Sequence, residues 1–302
     1  MKIIDIEEFS KNIIGQVKFN YSIKKLNWFN IGGKTKIYFS PETLNELISF
    51  LKLYNNRGKI FILGAGSNVL FSDNIFEGVV IKLGKKFSNI SILGKSKIIA
   101  GSSALDKKLS EFAKENEIGG FEFLSGIPGT IGGGIKMNSG CFNNEFKNIL
   151  ISIQTVDFSG KVHSIPAQKV KFFYRSNNLS NNIIYLSGTF KGVKKSKNLI
   201  EEKIKKIKYQ KDLSQPSRIK TGGSTFKNPI EQSEKKVWKL IKQSIPSNLK
   251  FGDAEISEKH CNFFINKKDA SFDDMKKLID FVKKKVKQKT GIKLNLELVL
   301  VE

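Results

Sequence analysis

Two glycine-rich segments restrict most strongly what this chain can fold into. The first, Gly64-Ala65-Gly66-Ser67-Asn68, follows directly on an apolar segment that predicts a strand. The second extends from Gly126 to Gly140. Glycine loses more backbone entropy on folding than other residues and adds little packing, so this density indicates left-handed backbone or a closely approaching ligand. Together the segments predict a long, doubly anionic cofactor held mainly by backbone amides.

The first segment alone is a weak signal, because a tight turn without a ligand would have the same residues. It also lacks the third glycine, at the opening of a helix, that completes the dinucleotide-binding fingerprint. The sequence therefore disfavours a standard Rossmann domain.

The spacing of apolar residues predicts a mixed α and β chain. Helical periodicity predicts helices in the ranges 42–56, 105–113, 194–211 and 237–241, and from Ser271 onward, where Asp274 forms a near capping box. Alternating or short apolar segments predict strands at 59–63, 79–81, 90–93, 97–100, 149–158, 161–165, 183–190, 262–265 and 292–301. We interpret the lysine-rich helix from 194 as a solvated element.

The length of 302 residues exceeds what one hydrophobic core usually organises. We place a boundary near the start of the lysine-rich helix. It separates an N-terminal region, 1–193, with lobes of about 1–84 and 85–193, from a C-terminal region, 194–302.

The formal net charge of +24 raises the question of nucleic-acid binding. Only three of the 52 basic residues are arginine, namely Arg57, Arg175 and Arg218. Recognition of phosphates and base edges favours arginine for its bidentate fork, whereas lysine is spread through the whole chain. A nucleic-acid partner is therefore disfavoured, and each arginine becomes informative.

The two cysteines, Cys141 and Cys261, and the two histidines lack the spacing of a disulfide framework or a metal site. No apolar stretch approaches the roughly 20 residues of a membrane helix. We therefore expect no metal, no membrane span and a cytoplasmic location.

The two glycine segments resemble a specific pair of cofactor loops. Residues Gly64 to Leu70 and Gly126 to Gly140 are similar to the FAD diphosphate loops of the vanillyl-alcohol-oxidase (PCMH-type) flavin fold, in the form used by UDP-N-acetylenolpyruvoylglucosamine reductases. Asn30-Ile31-Gly32-Gly33 resembles the N-terminal element of that family, and the resemblance extends over 27–297. It implies an α+β architecture of two FAD-binding lobes and a C-terminal α+β substrate domain.

The resemblance also implies the cofactor contacts. FAD would be bound noncovalently by Gly64, Ala65, Gly66, Ser67, Asn68, Val69, Leu70, Gly126, Ile127, Pro128, Gly129, Thr130, Gly132, Gly133, Asn138 and Gly140. Cys141-Phe142 stands where many members have Ala-Tyr, which leaves the glycine scaffold intact. The lack of a long C-terminal insertion resembles the shorter class of these reductases, without the tyrosine loop.

Members of this family use NADPH to reduce UDP-N-acetylglucosamine enolpyruvate to UDP-N-acetylmuramate for peptidoglycan synthesis. In that reaction hydride adds to the terminal methylene carbon, negative charge moves onto the adjacent carbon and its carboxylate, and a proton must then be delivered. The resemblance therefore implies this substrate, this reductant and a cytoplasmic enzyme, which we expect to be a monomer.

Three residues match the catalytic positions of the family. Arg175, in Tyr174-Arg175-Ser176, follows a predicted helix and would face the substrate carboxylate, although its residue type fits a helix cap or a surface ion pair equally well. Ser224, after Gly222-Gly223, would donate the proton. Glu297 lies in the predicted terminal strand, where a charged residue that protects a sheet edge is the alternative.

The resemblance further implies substrate contacts by Tyr174, Lys227, Asn228, His260 and Asn262, with a structural role as the alternative for His260. Leu296 and Val299 depart from the proline and the basic residue that many members have there. Two other functions stay open: a different flavin oxidase or dehydrogenase of the same fold, and a lysine-rich nucleic-acid-binding protein.

Overall fold

A computed structural model describes residues 3–55, 57–246 and 248–302. Its α-helices are α1 (Ile3–Lys11), α2 (Leu44–Tyr54), α3 (Asp106–Glu115), α4 (Ile131–Lys136), α5 (Lys197–Ser214), α6 (Val237–Ser244) and α7 (Phe272–Thr290). Its first strands are β1 (Gln16–Ser22), β2 (Lys34–Ser40), β3 (Lys59–Ile62), β4 (Val69–Phe71), β5 (Phe76–Ile81), β6 (Ile90–Leu93), β7 (Lys97–Gly101), β8 (Ile118–Gly119), β9 (Gly140–Cys141) and β10 (Asn144–Glu145).

The remaining strands are β11 (Leu150–Asp157), β12 (Val162–Pro166), β13 (Phe172–Phe173), β14 (Ser176–Asn177), β15 (Ile183–Lys191), β16 (Val193–Lys194), β17 (Lys220–Ser224), β18 (Lys250–Phe251), β19 (Ala254–Ile256), β20 (Phe263–Asn266) and β21 (Val299–Val301). None of the described helices is both long enough and apolar enough to cross a bilayer.

Local chemistry fixes the ends of the longer helices. Helix α7 begins after Ser271, whose hydroxyl accepts from the Asp274 amide while the Asp274 carboxylate accepts from the Ser271 amide, so the predicted capping box is confirmed. The helix ends at Gly291, whose φ of 74° is left-handed. Helix α2 is shorter than its predicted range, and residue 56 of that range lies outside the described residues.

The chain forms two compact units. Unit 1 consists of Met1–Phe19, Ile37–Ala65 and Glu77–Lys211, and unit 2 of Asn20–Lys36, Gly66–Phe76 and Asp212–Glu302. The functional division at residue 193 stays a prediction. The compact units are instead built from segments that are distant in sequence, and most of α5 belongs to unit 1.

Unit 1 contains the antiparallel sheet with strand order β12-β11-β15-β7-β6 and the parallel pair of β3 and β5. It has two apolar clusters. One surrounds α3, α4 and the β7–β15 pair, with Phe146 and Phe190 fully buried at its centre. The other lies under α1 and α2, where the rings of Phe39 and Phe50 stack 4.2 Å apart.

Unit 2 contains the sheet with strand order β17-β20-β19-β18 and the parallel pair of β4 and β21. Helices α6 and α7 cover its core, and the buried face of α7 is Phe272, Met275, Leu278, Ile279, Val282 and Val286. The β4–β21 pair aligns Val69 with Val299, so the end of the first glycine segment is joined directly to the C-terminal strand.

Two sequence-based predictions were wrong. The predicted strand at 292–301 exists only as β21, and before it Leu296 makes a single bridge to Phe226. The segment before Tyr174-Arg175 is no α-helix: it is a 3-10 turn, Ala167–Lys169, followed by the short hairpin of β13 and β14.

Candidate active site

The first glycine segment, 64–70, is a tight loop that requires glycine at position 66. Gly66 has a φ of 70°, and a Cβ there would lie 2.2 Å from the carbonyl oxygen of Leu26. The Gly66 carbonyl accepts from the Trp28 amide at 2.9 Å, which fixes this close approach. Val69 and Leu70 are buried in β4 and anchor the loop from below.

The amides of this loop are available to a ligand. None of the hydrogen bonds within the described parts of the chain uses the amides of Gly64, Ala65, Gly66, Ser67 or Asn68 as donors. Consecutive unused amides at glycine positions are the donor set that binds a diphosphate.

The second glycine segment approaches the first within unit 1. A Cβ on Gly64 would lie 2.6 Å from the Thr130 hydroxyl oxygen, and a Cβ on Gly129 would lie 2.7 Å from a carboxyl oxygen of Asp106. The amides of Gly129 and Thr130 donate no hydrogen bond to another described residue. Both loops therefore present backbone donors without protein acceptors.

Other glycines of the second segment either pack closely against neighbouring residues or have free space around them. A Cβ would lie 3.0 Å from Ser102 at Gly132 and 3.2 Å from Ile207 at Gly126, whereas Gly133 is exposed with space around it. Pro128 is also exposed, and Ile127 packs against the core below the loop. The loop therefore has a buried side and an open side.

Asn138 supports the loop from inside the protein. It is fully buried with a φ of 41°, and its Nδ2 donates to the Phe173 carbonyl at 3.1 Å and to the Glu145 carboxylate at 3.0 Å. Its Oδ1 accepts from the Lys147 amide. These bonds hold the hairpin that carries Arg175, and the predicted FAD contact of Asn138 stays a prediction.

Two charged residues lie beside these loops, and no motif in the sequence indicated either of them. Lys82, whose pKa is lowered by burial, donates from Nζ to the Gly64 carbonyl. Asp106 is fully buried, neither of its carboxyl oxygens has a hydrogen-bond partner in the described residues, and burial raises its pKa well above the usual range. Lys82 is one lysine among many, and the burial of Asp106 follows from tertiary structure alone.

Arg175 occupies the turn of the β13–β14 hairpin. Its φ of 59° is left-handed, which is rare for an arginine and indicates local backbone strain. Its Nη2 donates to the Gly140 carbonyl at 3.1 Å, and its Cζ lies 5.0 Å from the centre of the Tyr174 ring. Unit 1 therefore places the predicted arginine against the last glycine of the second FAD loop.

Ser224 ends β17 after a bulge at Gly222-Gly223. The register with β20 shifts between Thr221 and Ser224, and Gly223 has a φ of 78°. A Cβ on Gly222 would lie 2.4 Å from the ring of Phe29. The two glycines thus change the direction of the strand immediately before Ser224, which is half-buried.

Glu297 lies on a segment bound on both sides within unit 2. Its amide donates to the Thr225 carbonyl at 2.9 Å. Its own carbonyl accepts from Nδ2 of Asn68 at 3.0 Å, and the Asn68 carbonyl accepts from the Val299 amide. Unit 2 therefore brings together the Ser224 segment, Glu297 and the second half of the first glycine loop.

The remaining predicted residues also lie in unit 2. The Lys227 amide donates to the Asn295 carbonyl, and Asn228 accepts from the Val237 amide at the start of α6. The Nδ1 of His260 accepts from the Asn262 amide, and burial lowers its pKa, so its ring is neutral near pH 7 and carries its hydrogen on Nε2. The Asn262 side chain binds the main chain of Phe226.

The residues present fit FAD. The fit rests on two glycine loops with unused amides and on the Lys82 ammonium beside Gly64. These are donors and a cation suited to a diphosphate.

Comparison with known proteins gives this arrangement a family. Residues 35–165 match the family model described as FAD binding domain, and residues 215–301 match the one described as UDP-N-acetylenolpyruvoylglucosamine reductase, C-terminal domain. The UDP-N-acetylenolpyruvoylglucosamine reductase of Pelagibacter ubique is 60% identical over 302 residues and covers 100% of both chains. That of Rickettsia conorii is 43% identical over 284 residues, 94% of this chain and 95% of its own.

A solved structure shows the same fold over nearly the whole chain. The UDP-N-acetylenolpyruvylglucosamine reductase (MurB) from Thermus caldophilus superposes with a TM-score of 0.81 at 27% sequence identity and covers 95% of this chain and 99% of its own. The α+β flavin fold that the two glycine loops predicted is thereby confirmed. With matches to both domains and a relative of 60% identity from end to end, the chain belongs to the family of UDP-N-acetylenolpyruvoylglucosamine reductases.

Proposed function

We propose that this chain reduces UDP-N-acetylglucosamine enolpyruvate to UDP-N-acetylmuramate, an oxidoreductase step of peptidoglycan precursor synthesis, with FAD as cofactor and NADPH as reductant. Family membership over the full chain supports the reaction. One structural observation carries the proposal: Asn68 of the FAD loop binds the Glu297 carbonyl, and the Glu297 amide binds the segment of Ser224.

FAD, when bound, would supply the hydride chemistry that links NADPH to reduction of the enolpyruvyl group. The amides of 64–68 and of Gly129 and Thr130 hold its diphosphate in this proposal. Val69, Leu70 and Ile127 support the loops from the core.

Arg175 stabilises the negative charge that develops on the substrate carboxylate. A guanidinium keeps its proton at every accessible pH and offers a planar pair of donors, which matches a carboxylate. The hydrogen bond to Gly140 and the contact with Tyr174 limit the conformations of this side chain before substrate arrives, which lowers the entropic cost of binding.

Ser224 donates the proton to the carbon next to the carboxylate. Serine is a weak acid in water, but a carbanionic carbon is a base strong enough to take its proton. Glu297, on the neighbouring segment, assists this transfer. Tyr174, Lys227, Asn228 and His260 are proposed to bind the UDP-sugar, with the Lys227 ammonium facing its diphosphate.

The thiol at position 141 favours a noncovalent flavin. Oxidases of this fold often attach FAD through histidine or cysteine. Cys141 directly follows the second FAD loop, but burial raises its pKa to about 11 and its Sγ donates to the Phe123 carbonyl. Such a thiol is a poor nucleophile at neutral pH, which supports the reductase over a covalent flavin oxidase.

The proposal is tested on the purified protein. We expect flavin absorbance, release of that absorbance into the supernatant on acid precipitation, bleaching by NADPH without oxygen, and recovery of absorbance when the enolpyruvyl ether is added. The product should exceed the substrate by two hydrogens in mass. Colourless protein with steeply salt-dependent DNA binding would instead support the nucleic-acid alternative.

We also propose that the enzyme acts in the cytoplasm, where NADPH and nucleotide sugars are supplied, and as a monomer. Light scattering after size-exclusion chromatography should give a mass near 34.0 kDa. A mass near twice that value would contradict the monomer.

A further inference from the structure

We infer that Asn262 is a positioning residue that sets Ser224 through the main chain of Phe226, instead of a residue that binds substrate. The inference rests on the proposed role of Ser224 as proton donor and names the residue that holds this donor in place.

The Asn262 side chain pairs with both main-chain groups of one residue. Its Oδ1 accepts from the Phe226 amide at 3.0 Å and its Nδ2 donates to the Phe226 carbonyl at 2.8 Å. The main-chain carbonyl of Asn262 also accepts from the Thr225 amide at 2.8 Å. Asn262 is only 2% exposed, so its amide is closed to a ligand such as the UDP-sugar.

The bulge before Ser224 explains why such a pairing is needed. The regular register of β17 and β20 is broken between Thr221 and Ser224. Beyond Ser224 the chain leaves this ladder, and Phe226 forms its bridge with Leu296 of the C-terminal segment. Phe226 is 1% exposed, and the Asn262 amide replaces the ladder hydrogen bonds that its buried main chain would otherwise lack.

The same contact fixes two of the proposed catalytic groups relative to each other. Ser224 pairs with Phe263, directly after Asn262, and the Thr225 carbonyl accepts from the Glu297 amide. A displacement of Thr225 and Phe226 therefore moves both Ser224 and Glu297. Proton transfer is sensitive to such displacement, since a misplacement of about 1 Å can cost roughly 100-fold in rate.

Asn266, the last residue of the strand β20 that Asn262 directly precedes, provides a matched control. It is 3% exposed, its Nδ2 donates to the Phe29 carbonyl at 2.8 Å and its Oδ1 accepts from the Ala270 amide at 2.8 Å. It therefore makes the same kind of buried, two-sided contact, but to main-chain groups outside the Ser224 segment.

The experiment compares Asn262→Asp with Asn266→Asp on FAD-loaded protein. Each change keeps the shape and replaces a buried donor with a carboxylate oxygen that repels a carbonyl. We expect both variants to lose thermal stability. Only Asn262→Asp should slow flavin reoxidation by the enolpyruvyl substrate, by about 100-fold. Its flavin reduction by NADPH and its substrate dissociation constant should stay close to those of wild type.

Lowering the pH should restore the reoxidation rate of Asn262→Asp, which gives a second test on the same variant. Burial raises the pKa of the introduced carboxyl above the ordinary value of about 3.9. Below that raised pKa the neutral carboxyl again donates to the Phe226 carbonyl, so the reoxidation rate of Asn262→Asp should recover as the pH falls, relative to wild type. Asn266→Asp carries the same kind of buried carboxylate, so a general structural effect would give both variants the same pH dependence of reoxidation, whereas the positioning role predicts it for Asn262→Asp alone. If Asn262→Asp does not fold, Asn262→Gln, which keeps the amide but displaces it, should show the same selective slowing.

Ser224→Ala, measured in parallel, separates the two hypotheses. Slow reoxidation in Ser224→Ala together with normal reoxidation in the Asn262 variants overturns the positioning role and leaves the proposed function intact. Equal slowing in the Asn262 and Asn266 variants also overturns it. Normal reoxidation in Ser224→Ala removes the proton donor itself, and the inference falls with it.

Discussion

Arg175 shows what one residue adds to a motif. The sequence marks it as one of three arginines in a lysine-rich chain, and the resemblance implies its task. The left-handed backbone and the bond to the Gly140 carbonyl could not be predicted, because both depend on a hairpin that the sequence pattern did not indicate. Strain of this kind persists where the surrounding structure enforces it.

Arg175→Lys tests whether the planar fork is required. Lysine keeps the positive charge and has the same difficulty with a positive φ, so the backbone cost is nearly unchanged. We expect turnover to fall by about 100-fold, the usual loss for one electrostatic donor. Steady-state kinetics with Arg57→Lys as the control measure this. Near-normal turnover in the Arg175 variant would leave the residue with a structural role in the β13–β14 hairpin.

Asp106 gives a prediction about pH. Burial raises its pKa in the folded protein, so the stability linked to this carboxyl is fully present below the unfolded value of about 3.9 and is lost as the pH rises toward the raised folded pKa. Asp106→Asn removes this dependence. In urea unfolding from pH 4 to 9, the free energy of unfolding of the variant should rise relative to that of wild type by about 1.4 kcal/mol per pH unit within that window. Parallel pH curves would show that the carboxyl is ionised in the folded protein.

At the scale of elements, helices were easier to predict than strands. Periodicity located α2, α3, α5, α6 and α7 because each buries one continuous face. The alternation at 292–301 predicted a full strand, but Leu296 finds only Phe226 as a partner and the Glu297 carbonyl is taken by the Asn68 side chain. A sequence pattern shows which residues face a core but not whether a neighbouring strand is present.

Gly66→Ala and Gly94→Ala separate loop function from backbone strain. The two glycines have φ values of 70° and 68°. A Cβ at Gly94 meets nothing within 4 Å, whereas at Gly66 it meets the Leu26 carbonyl. Gly94→Ala should lose about 1–2 kcal/mol of stability, the cost of a left-handed alanine, and Gly66→Ala should lose more because its Cβ also clashes with the Leu26 carbonyl. Only Gly66→Ala should also lower flavin occupancy and raise the FAD dissociation constant, measured by flavin fluorescence. Equal FAD binding in both variants would contradict the loop assignment.

At the scale of the whole molecule, the sequence pattern does not show which distant segments pack together. The sequence predicted one domain boundary near the start of the lysine-rich helix. Compact unit 2 contains Asn20–Lys36 and Gly66–Phe76 in addition to Asp212–Glu302. The parallel pair of β4 and β21 aligns residues 69–71 with residues 299–301, a contact that no local signal in the sequence specifies. The motifs predicted the fold class and the candidate residues. Contacts between segments that are distant in sequence, such as that of β4 with β21, are seen only in the tertiary structure.

The proposed division of labour makes the two half-reactions separable. Reduction by NADPH needs the flavin and a nicotinamide pocket, whereas a proton donor is needed only after the enolpyruvyl ether accepts hydride. Stopped-flow absorbance follows the two half-reactions separately in Ser224→Ala, with Arg57→Ala as a control outside the site motifs. We expect normal bleaching by NADPH and reoxidation by substrate slowed by about 10²–10⁴-fold in the Ser224 variant, with both steps normal in the Arg57 variant. Unchanged reoxidation of folded, FAD-loaded Ser224→Ala would contradict the role of Ser224 as proton donor.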